Sequence, residues 1–262
     1  MEKAKYDTIG IGYNTTRKAD PYLVKLFLKY LAPEEGKTYL DIGCGTGNYT
    51  VELQKSQANF IGVDPSVEML KVAKAKNTTV RWKLGTSEEI PLETDAVDGA
   101  IASLTIHHWK DLGKAFKEIS RVVKKEGKLI VFTATPEQMK GYWLCHYFPR
   151  MLSDSMQQMP TLEKVKQAME NAKIQIENTY PYTIQPDLKD KFLYCGKQQP
   201  ELYFNTQIRK GISSFSSLAN KEEVGAGLDM LRKDIDSAKI KAVMHSYENN
   251  IGDYLYIVAR IS

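Results

Sequence analysis

The residues with the clearest chemical role form a glycine-rich segment with the sequence Asp41-Ile42-Gly43-Cys44-Gly45-Thr46-Gly47. This segment ends a short apolar run that begins at Tyr39, and Asp64 ends the next such run, which begins at Phe60. Glycines at this spacing let the backbone turn tightly and approach a ligand at the start of a helix. A carboxylate about twenty residues further on accepts hydrogen bonds from the two hydroxyls of a ribose. The pattern therefore predicts a site for a nucleoside cofactor.

The charge of Asp41 indicates which cofactor is bound. A dinucleotide places its pyrophosphate at the N-terminus of the helix, where a further fixed negative charge repels it. S-adenosyl-L-methionine has no phosphate and carries an ammonium and a sulfonium, so a carboxylate beside the loop attracts it. A turn between strand and helix without any ligand would leave Asp41 and Asp64 unexplained together. We therefore predict S-adenosyl-L-methionine as the cofactor.

Several further segments stand in a fixed order along the chain, namely YLDIGCGTGNYT, GVDPSVEML, LGTSEEIPLETDAVDGAIAS, HHW and AFKEISRVVKKEGKLIV. Together they resemble the class I S-adenosylmethionine-dependent methyltransferases, in particular the branch of ubiquinone and menaquinone biosynthesis. The resemblance extends from about Tyr6 to Thr135. It implies a methyltransferase, but none of these segments specifies the substrate.

The resemblance also implies roles around the cofactor. It places the loop of Gly43, Cys44, Gly45 and Gly47 under the methionine part, with Asp41 near the ammonium group. Relatives usually have an aspartate, in contact with the adenine amine, where this chain has Thr86. The other residues expected around the cofactor are Asp64 on the ribose, Pro65 and Met69 beside the sugar and base, Ser87 next to Thr86, and Ser103 facing the methyl-transfer centre.

Candidate catalytic residues come from two places in the sequence. His107 and His108 follow the predicted fourth strand, and an imidazole titrates near neutrality, so either one is a candidate general base. The alternative is that they line the pocket, because many methyl transfers need only alignment. Near the amino end, Tyr13 and Arg17 resemble a family segment that folds over the cofactor. This implies that Arg17 binds the methionine carboxylate and Tyr13 closes the site, against the alternative of a surface arginine beside a packing tyrosine.

Apolar periodicity predicts the elements that position these residues. A helix follows Asp20-Pro21, which supplies a cap and a proline in the first turn, and another follows Asp111. Further helices are predicted at 48–56 and 66–76, and strands at 39–42, 60–63, 80–84, 97–103 and 128–135. Because strand and helix alternate, we predict an α/β protein with a doubly wound parallel sheet.

The family resemblance extends this prediction to a seven-stranded, mostly parallel, Rossmann-like sheet with an antiparallel edge strand and an inserted helical cap. A helix at 161–172 leads into a strand at 173–185 that we expect to be broken by Pro181. In the cap, Asn220 and Glu223 have the spacing of a capping box at the start of a helix. The predicted division is a cofactor-binding core at 1–135, a cap segment and helix at 136–172, and an edge strand pair at 173–262 with the inserted cap at about 186–252.

Two aromatic segments of the cap predict a wall for the acceptor pocket. Tyr142, Trp143 and Tyr147 follow the end of the fifth strand, and ligands of parallel sheets lie at the carboxyl ends of strands. Tyr203 belongs to a second aromatic segment further along the chain. The alternative is that these side chains form the core of the cap, because aromatic residues supply much of the buried area of small subdomains.

Composition restricts the classes of protein and partner. With 262 residues, 42% of them hydrophobic, the chain can bury a full core. It contains no apolar run long enough for a membrane span and no apolar leader, so we expect a cytoplasmic protein without a span. The 3 cysteines and the histidines show no metal-ligand spacing, so we expect reduced thiols and no metal.

A net charge of +4 makes no case for nucleic acid as a partner, and the sequence does not define an oligomeric state. The leading hypothesis is methyl transfer to an oxygen, nitrogen or carbon atom of a small molecule held under the cap. An RNA-modifying enzyme would need a basic stripe on the cap, but acidic residues interrupt the lysines there. Arsenite methylation would need a cluster of cysteines. A protein that binds the cofactor without catalysis is the remaining alternative.

Overall fold

The structure is a computed structural model, and it describes residues 16–262. The strands are β1 Thr38–Ile42, β2 Asn59–Asp64, β3 Arg81–Leu84, β4 Val97–Ser103, β5 Val123–Thr133, β6 Ile174–Tyr182 and β7 Tyr254–Ile261. The α-helices are α1 Pro21–Leu31, α2 Asn48–Gln54, α3 Val67–Lys76, α4 Leu112–Val122, α5 Pro136–Lys140, α6 Leu144–Tyr147, α7 Pro149–Gln158, α8 Leu162–Asn171, α9 Thr206–Lys210, α10 Lys221–Asp236 and α11 Ile240–Ser246. None of the helices within residues 16–262 combines the length and apolar character needed to cross a membrane.

All seven strands form one sheet in the order β3-β2-β1-β4-β5-β7-β6. Strands β1 to β5 pair in parallel, whereas β7 lies antiparallel to both of its neighbours, β5 and β6. The chain order reverses between β1 and β4, which is where α/β sheets of this type open a crevice for ligands. The predicted fold class, a doubly wound and mostly parallel sheet with helical additions, is confirmed.

Alternating side chains of the strands bury the two faces of the sheet in separate hydrophobic clusters. In β5, Ile130 and Phe132 face one cluster, and Leu129 and Val131 face the other. Helix α4 packs on the second face through its apolar stripe, and it begins where the Asp111 carboxylate accepts a hydrogen bond from the backbone nitrogen of Lys114 at 2.9 Å. This sandwich of helices around a parallel sheet fixes the ends of the strands.

Strand β6 continues through Pro181, contrary to the expectation that this proline breaks it. Pro181 pairs with Leu255 of β7, and β6 is the outermost described strand on this side of the sheet. A proline lacks only the backbone N–H, and on an outer strand that group can point away from the neighbouring strand. The irregularity falls instead at Glu177, where the register shifts between Ile176 and Asn178.

The cap consists of residues 136–158, which follow β5 in the chain, and residues 183–253, which connect β6 to β7. Its two parts meet at the residue before β7, because the Lys197 ammonium lies 2.8 Å from both carboxylate oxygens of the buried Asp253, and the Tyr142 hydroxyl donates to the Asp253 carbonyl. The aromatic residues of the cap share one hydrophobic cluster with sheet residues such as Phe132 and Tyr256. The predicted division into segments at residues 135 and 172 stays a prediction.

At the start of α10, only one of the two hydrogen bonds of the predicted capping box is formed. The Asn220 side chain accepts from the Glu223 backbone nitrogen at 2.7 Å, as the spacing predicts. The Glu223 carboxylate accepts instead from the backbone nitrogens of Arg150 and Met151, the latter at 3.2 Å. It therefore caps the first turn of α7 and joins the two halves of the cap.

Candidate functional site

The glycine-rich loop between β1 and α2 depends on glycine for steric reasons. Gly43 has φ +73°, and a Cβ placed there would lie 2.1 Å from the Thr105 hydroxyl oxygen. Gly45 has φ +54° and no atom within 4 Å of an added Cβ, so its open side faces a cavity. Backbone nitrogens of Gly43 and Cys44 donate to the Val63 carbonyl at 2.8 and 3.1 Å, which ties the loop to β2. One side of the loop is thus packed against Thr105 and β2, and the other side is open to a cavity.

The carboxylate of Asp64 is oriented by the backbone at the tip of β2. One oxygen accepts from the Gly45 nitrogen at 2.8 Å, and the other accepts from the Ser66 nitrogen at 2.9 Å. These two bonds fix the plane of the carboxylate at the edge of the cavity, where Asp64 is only 7% exposed. A carboxylate held in this way suits the vicinal hydroxyls of a ribose.

Asp41 is a buried carboxylate with one side-chain partner. The Thr50 hydroxyl donates to it at 2.6 Å. Burial raises the pKa of Asp41 to about 7, the nearby charge of Asp64 adds to this effect, and the Thr50 hydrogen bond opposes it. Such a carboxylate ionises readily when a cation is placed beside it, which is the chemistry expected next to an ammonium group.

We refer to the space in front of the loop as the loop cavity, which contains about 680 Å³ free of protein atoms, part of it open to solvent. The predicted cofactor residues that line it are Arg17, Asp41, Gly43, Cys44, Gly45, Asp64, Met69 and Ser103. The predicted cofactor residues that do not line it are Gly47, Pro65, Thr86 and Ser87. Gly47 packs against the Trp82 ring, Thr86 forms a bridge with Glu89, and Ser87 is buried.

Arg17 also lines the loop cavity, but its guanidinium faces a carboxylate that the sequence analysis missed. It forms a bidentate ion pair with Asp190 of the cap, in which Arg17 Nη2 lies 3.2 Å from Asp190 Oδ2. The Tyr49 hydroxyl donates to the same carboxylate at 3.1 Å, and both Tyr49 and Asp190 line the cavity. Burial and the Asp190 charge hold the pKa of Tyr49 well above its usual range, so this phenol stays protonated as a donor. Asp190 lies far from the glycine-rich segment in sequence. The sequence shows it only as an acidic residue among the lysines of the cap, which does not predict a contact with Arg17.

A second cavity, the cap cavity, adjoins the first and lies between the carboxyl ends of β4 and β5 and the cap. It contains about 670 Å³ free of protein atoms, part of it open to solvent. Arg17 and Leu104 line both cavities. Leu104 has φ +50°, a left-handed conformation that costs a non-glycine residue about 1 to 3 kcal/mol and is concentrated at functional sites. The structure therefore provides two adjacent compartments with a shared boundary.

The two neighbouring histidines face different compartments. They lie in a short 3₁₀ helix, Ile106–His108, directly after β4, with ring centroids 3.9 Å apart. His107 lines the cap cavity, whereas His108 lines the loop cavity. Tyr13, the third predicted catalytic residue, lies outside the described residues, as does Tyr6, so the role of this segment stays a prediction.

Among the predicted pocket aromatics, only Tyr142 lines the cap cavity. Trp143, Tyr147 and Tyr203 line neither cavity and are at most 2% exposed. Their polar atoms bond within the cap: the indole nitrogen of Trp143 donates to the Lys197 carbonyl at 2.9 Å, Tyr147 to Asp234 at 3.0 Å, and Tyr203 to the Leu193 carbonyl at 2.8 Å. These three side chains form the packed core of the cap, which was the alternative interpretation.

The described residues contain no group of three or more histidine, cysteine or acidic side chains arranged to hold a metal ion. Cys44, Cys145 and Cys195 are free thiols. Burial raises the pKa of each, to about 11 for Cys145, and well above the usual range for Cys44 in the loop. A neutral thiol is a weaker nucleophile than a thiolate.

Comparisons with known proteins agree with this geometry. A family model described as a methyltransferase domain matches residues 40–131. The crystal structure of a putative methyltransferase from an antibiotic biosynthesis pathway of Anabaena variabilis is 32% identical, covers 94% of this chain and 99% of that chain, and has a TM-score of 0.84. A ubiquinone/menaquinone biosynthesis C-methyltransferase of Rubrivivax gelatinosus is 30% identical over 124 residues, 47% of this chain and 48% of that protein. The chain spans about half the length of the first curated relatives that it matches.

A geranyl diphosphate C-methyltransferase of Streptomyces coelicolor, in complex with Mg²⁺, geranyl diphosphate and S-adenosyl-L-homocysteine, shares the fold at 16% identity, with a TM-score of 0.60 over 92% of this chain and 80% of that chain. The chain belongs to the class I S-adenosylmethionine-dependent methyltransferases, whose cofactor is S-adenosyl-L-methionine. The loop cavity fits this cofactor, because it presents an oriented carboxylate at Asp64, a second carboxylate at Asp41 and an open glycine face at Gly45.

Proposed function

We propose that the protein transfers a methyl group from S-adenosyl-L-methionine to an oxygen, nitrogen or carbon atom of a small molecule held in the cap cavity. The observation that carries this proposal is the shared boundary of the two cavities at Arg17 and Leu104. A cofactor on the loop side and an acceptor on the cap side meet at this boundary. The cofactor supplies an electrophilic methyl group when it is bound.

The residues of the chain contribute by positioning the reactants. Asp64 and Asp41 hold the nucleoside and ammonium ends in the loop cavity, next to the boundary with the cap cavity. Holding two reactants in line at near-attack distance supplies about 7 to 11 kcal/mol of the barrier without an acid or base. The cap side of the boundary also carries His107, which is in place to accept a proton from an acceptor that must lose one.

The lining of the cap cavity favours a small molecule over RNA. Arg17 is the one permanently charged side chain among the described lining residues, and its charge is paired with Asp190. RNA binding relies on many unpaired cations along a groove, because each phosphate contact releases counterions. The cap cavity instead offers mainly neutral side chains around a limited space.

The proposal is tested with cofactor labelled in its transferable methyl group. The purified chain is incubated with separate pools of phenols, hydroquinones, amines and bulk RNA, and label is followed into product. We expect incorporation into a small-molecule pool and none into RNA. Incorporation into RNA alone would replace the proposal, and tight cofactor binding without incorporation into any pool would favour the non-catalytic alternative.

The positions of the two histidines sharpen this test. With a phenolic acceptor, His107→Gln should lower turnover by about 10²-fold or more, because a positioned base contributes on that scale. His108→Gln is the matched control on the same 3₁₀ helix, and it should lower turnover much less, because His108 lines the loop cavity. Equal and small effects of both substitutions would show that alignment alone drives the reaction.

A further inference from the structure

Two serines from different parts of the cap meet on the wall of the cap cavity. Ser155 belongs to α7, and Ser214 begins a single turn of π-helix, Ser214–Leu218. Both line the cavity, with exposures of 5% and 6%. A π-helical turn costs hydrogen-bond geometry and often occurs at functional sites. The two hydroxyls are therefore placed where an acceptor molecule would lie.

The hydrogen bonds of the pair have a defined direction. The Ser155 hydroxyl oxygen lies 2.7 Å from the Met151 carbonyl oxygen and 2.8 Å from the Ser214 hydroxyl oxygen. A carbonyl only accepts, and a serine has one hydroxyl proton, so Ser155 donates to Met151. Both contacts are then satisfied only if Ser214 donates to Ser155. The Ser214 hydroxyl proton is therefore engaged with Ser155. Toward the cavity, the Ser214 oxygen can only accept a hydrogen bond.

The rest of the lining combines apolar and aromatic side chains with a few polar ones, namely Arg17, His107, Gln158 and Ser213. On the sheet side, the cavity is bounded by Leu104, His107 and Ala134, which follow the carboxyl ends of β4 and β5. The apolar lining residues between this side and the serines include Met139, Tyr142, Met159, Phe192, Ile212 and Tyr254. A charged group placed here would lose its hydration, and the charge of the lining residue Arg17 is already paired with Asp190. An aromatic ring instead gains contact with rings and thioethers.

We infer that the acceptor is an uncharged aromatic molecule that carries a hydroxyl or N–H group, and that Ser214 accepts a hydrogen bond from this group. The donor group lies on the cap side, away from the methylated atom at the Leu104 boundary. This inference rests on the proposed function, since it assigns the cap cavity to the acceptor. It makes Ser214 a specificity residue, which selects donors over molecules that offer only carbonyl or ether oxygens.

The test uses a matched set of naphthalenes as probes of the cap cavity. Binding of 2-naphthol, 2-methoxynaphthalene, 2-acetylnaphthalene and 2-naphthoate is measured by calorimetry with protein saturated with S-adenosyl-L-homocysteine. We expect 2-naphthol to bind about 3- to 10-fold more tightly than the methoxy and acetyl probes, the scale of one neutral hydrogen bond. The naphthoate should bind most weakly, because Arg17, the one permanently charged side chain among the described lining residues, is already paired with Asp190.

Two variants test whether Ser214 causes the preference for naphthol over methoxynaphthalene. Ser214→Ala should bring the ratio between naphthol and methoxynaphthalene close to 1. Ser216→Ala is the control, because Ser216 lies in the same π-helical turn but is exposed and does not line the cavity, so it should keep the native ratio. Thermal unfolding of both variants verifies that they fold, and the ranking of probes by the native protein is decisive without any variant.

Several results would overturn the inference. These are equal or tighter binding of the ether and ketone probes, tight binding of the naphthoate, a native ratio in Ser214→Ala, or no binding of any probe to protein that binds S-adenosyl-L-homocysteine. Failure of the proposed function is distinguishable from these results. It would show as absent methyl incorporation or absent cofactor binding, while the ranking of the probes, repeated without S-adenosyl-L-homocysteine, would still stand.

Discussion

The loop cavity and the cap cavity adjoin each other, but they differ in the segments and the side chains that line them. Most residues of the loop cavity come from 41–69 and 103–108, at the carboxyl ends of neighbouring strands, and its polar character comes from carboxylates and backbone amides. The cap cavity draws on Arg17 and on positions from 104 to 254, and it is lined mainly by neutral side chains. The first compartment is therefore specified by local turns, and the second by packing between distant segments.

This difference predicts how each compartment responds to substitution. Single substitutions in the loop cavity should weaken cofactor binding, because each group there has a fixed partner. Changes inside the packed core of the cap should alter stability first and acceptor binding little. The following substitutions test this contrast, beginning with the largest expected change.

Gly43→Ala should have the largest effect on the loop cavity. The new Cβ would lie 2.1 Å from the Thr105 hydroxyl, at φ +73°. Backbone strain of about 1 to 2 kcal/mol and overpacking of about 1 to 3 kcal/mol can be relieved only if the loop moves, so affinity for S-adenosyl-L-homocysteine should fall by roughly 30-fold or more. Calorimetry measures this loss directly.

Gly36→Ala is the matched control for Gly43→Ala. Gly36 has φ +76°, but no atom lies within 4 Å of an added Cβ. The substitution should lower the free energy of unfolding by about 1 to 2 kcal/mol through backbone strain and leave cofactor affinity unchanged. Equal losses of affinity in both variants would show that strain, and not the contact with Thr105, controls the loop.

Asp64→Ala should weaken S-adenosyl-L-homocysteine binding by about 1.5 to 3 kcal/mol, the range for hydrogen bonds to a charged group. Glu68→Ala, in the first turn of α3 and exposed, is the control and should bind normally. Native affinity in the Asp64 variant would remove Asp64 from the ribose site. The comparison is valid if both variants unfold in a single transition by thermal denaturation.

The affinity for the cofactor should depend on pH through Asp41. Because its pKa is raised to about 7, a cationic ligand favours the ionised carboxylate and binding releases a proton. Affinity should fall below pH 7, by up to about tenfold per pH unit, and calorimetry in buffers of different ionisation enthalpy should detect the released proton. Asp41→Asn should bind more weakly and with a flat profile, and a flat profile in the native protein would contradict this assignment.

The same carboxylate affects stability in the opposite direction. Its pKa in the folded protein lies above the ordinary aspartate value of 3.8, so its contribution to the free energy of unfolding falls as pH rises from about 4 to 7. In the absence of cofactor, Asp41→Asn should therefore unfold at a higher temperature than the native protein at pH 8. A lower melting temperature would show that Thr50 and the surroundings compensate the buried charge.

The smallest effects on binding are expected in the core of the cap. Tyr203→Phe removes the hydrogen bond to the Leu193 carbonyl and the one from the Gly196 backbone nitrogen. It should lower the free energy of unfolding by about 1 to 3 kcal/mol, with acceptor binding unchanged. Tyr142→Phe also loses a buried hydrogen bond, but Tyr142 lines the cap cavity, so its variant should alter probe binding as well. The same change in probe binding for both variants would erase the distinction between core and lining.

Much of the fold and of the loop cavity was predictable from sequence. The strands, the capped helices and the placement of Asp41 and Asp64 follow from periodicity and from turns that depend on nearby residues. Asp190, Tyr49 and the serine pair were missed, because their positions are set by contacts between distant segments. Periodicity also cannot distinguish an aromatic residue that lines a cavity from one packed behind it, as the different positions of Tyr142 and Trp143 show.

Strand β6 has a consequence for the behaviour of the protein in solution. An outer strand with a full row of N–H groups is a template for the addition of strands from other chains, and this leads to aggregation. Pro181 removes one donor from the row, and the shifted register at Glu177 interrupts its regular spacing. The outermost described strand on this side is therefore poorly suited to edge-to-edge pairing, which protects the sheet against growth into larger assemblies at high concentration.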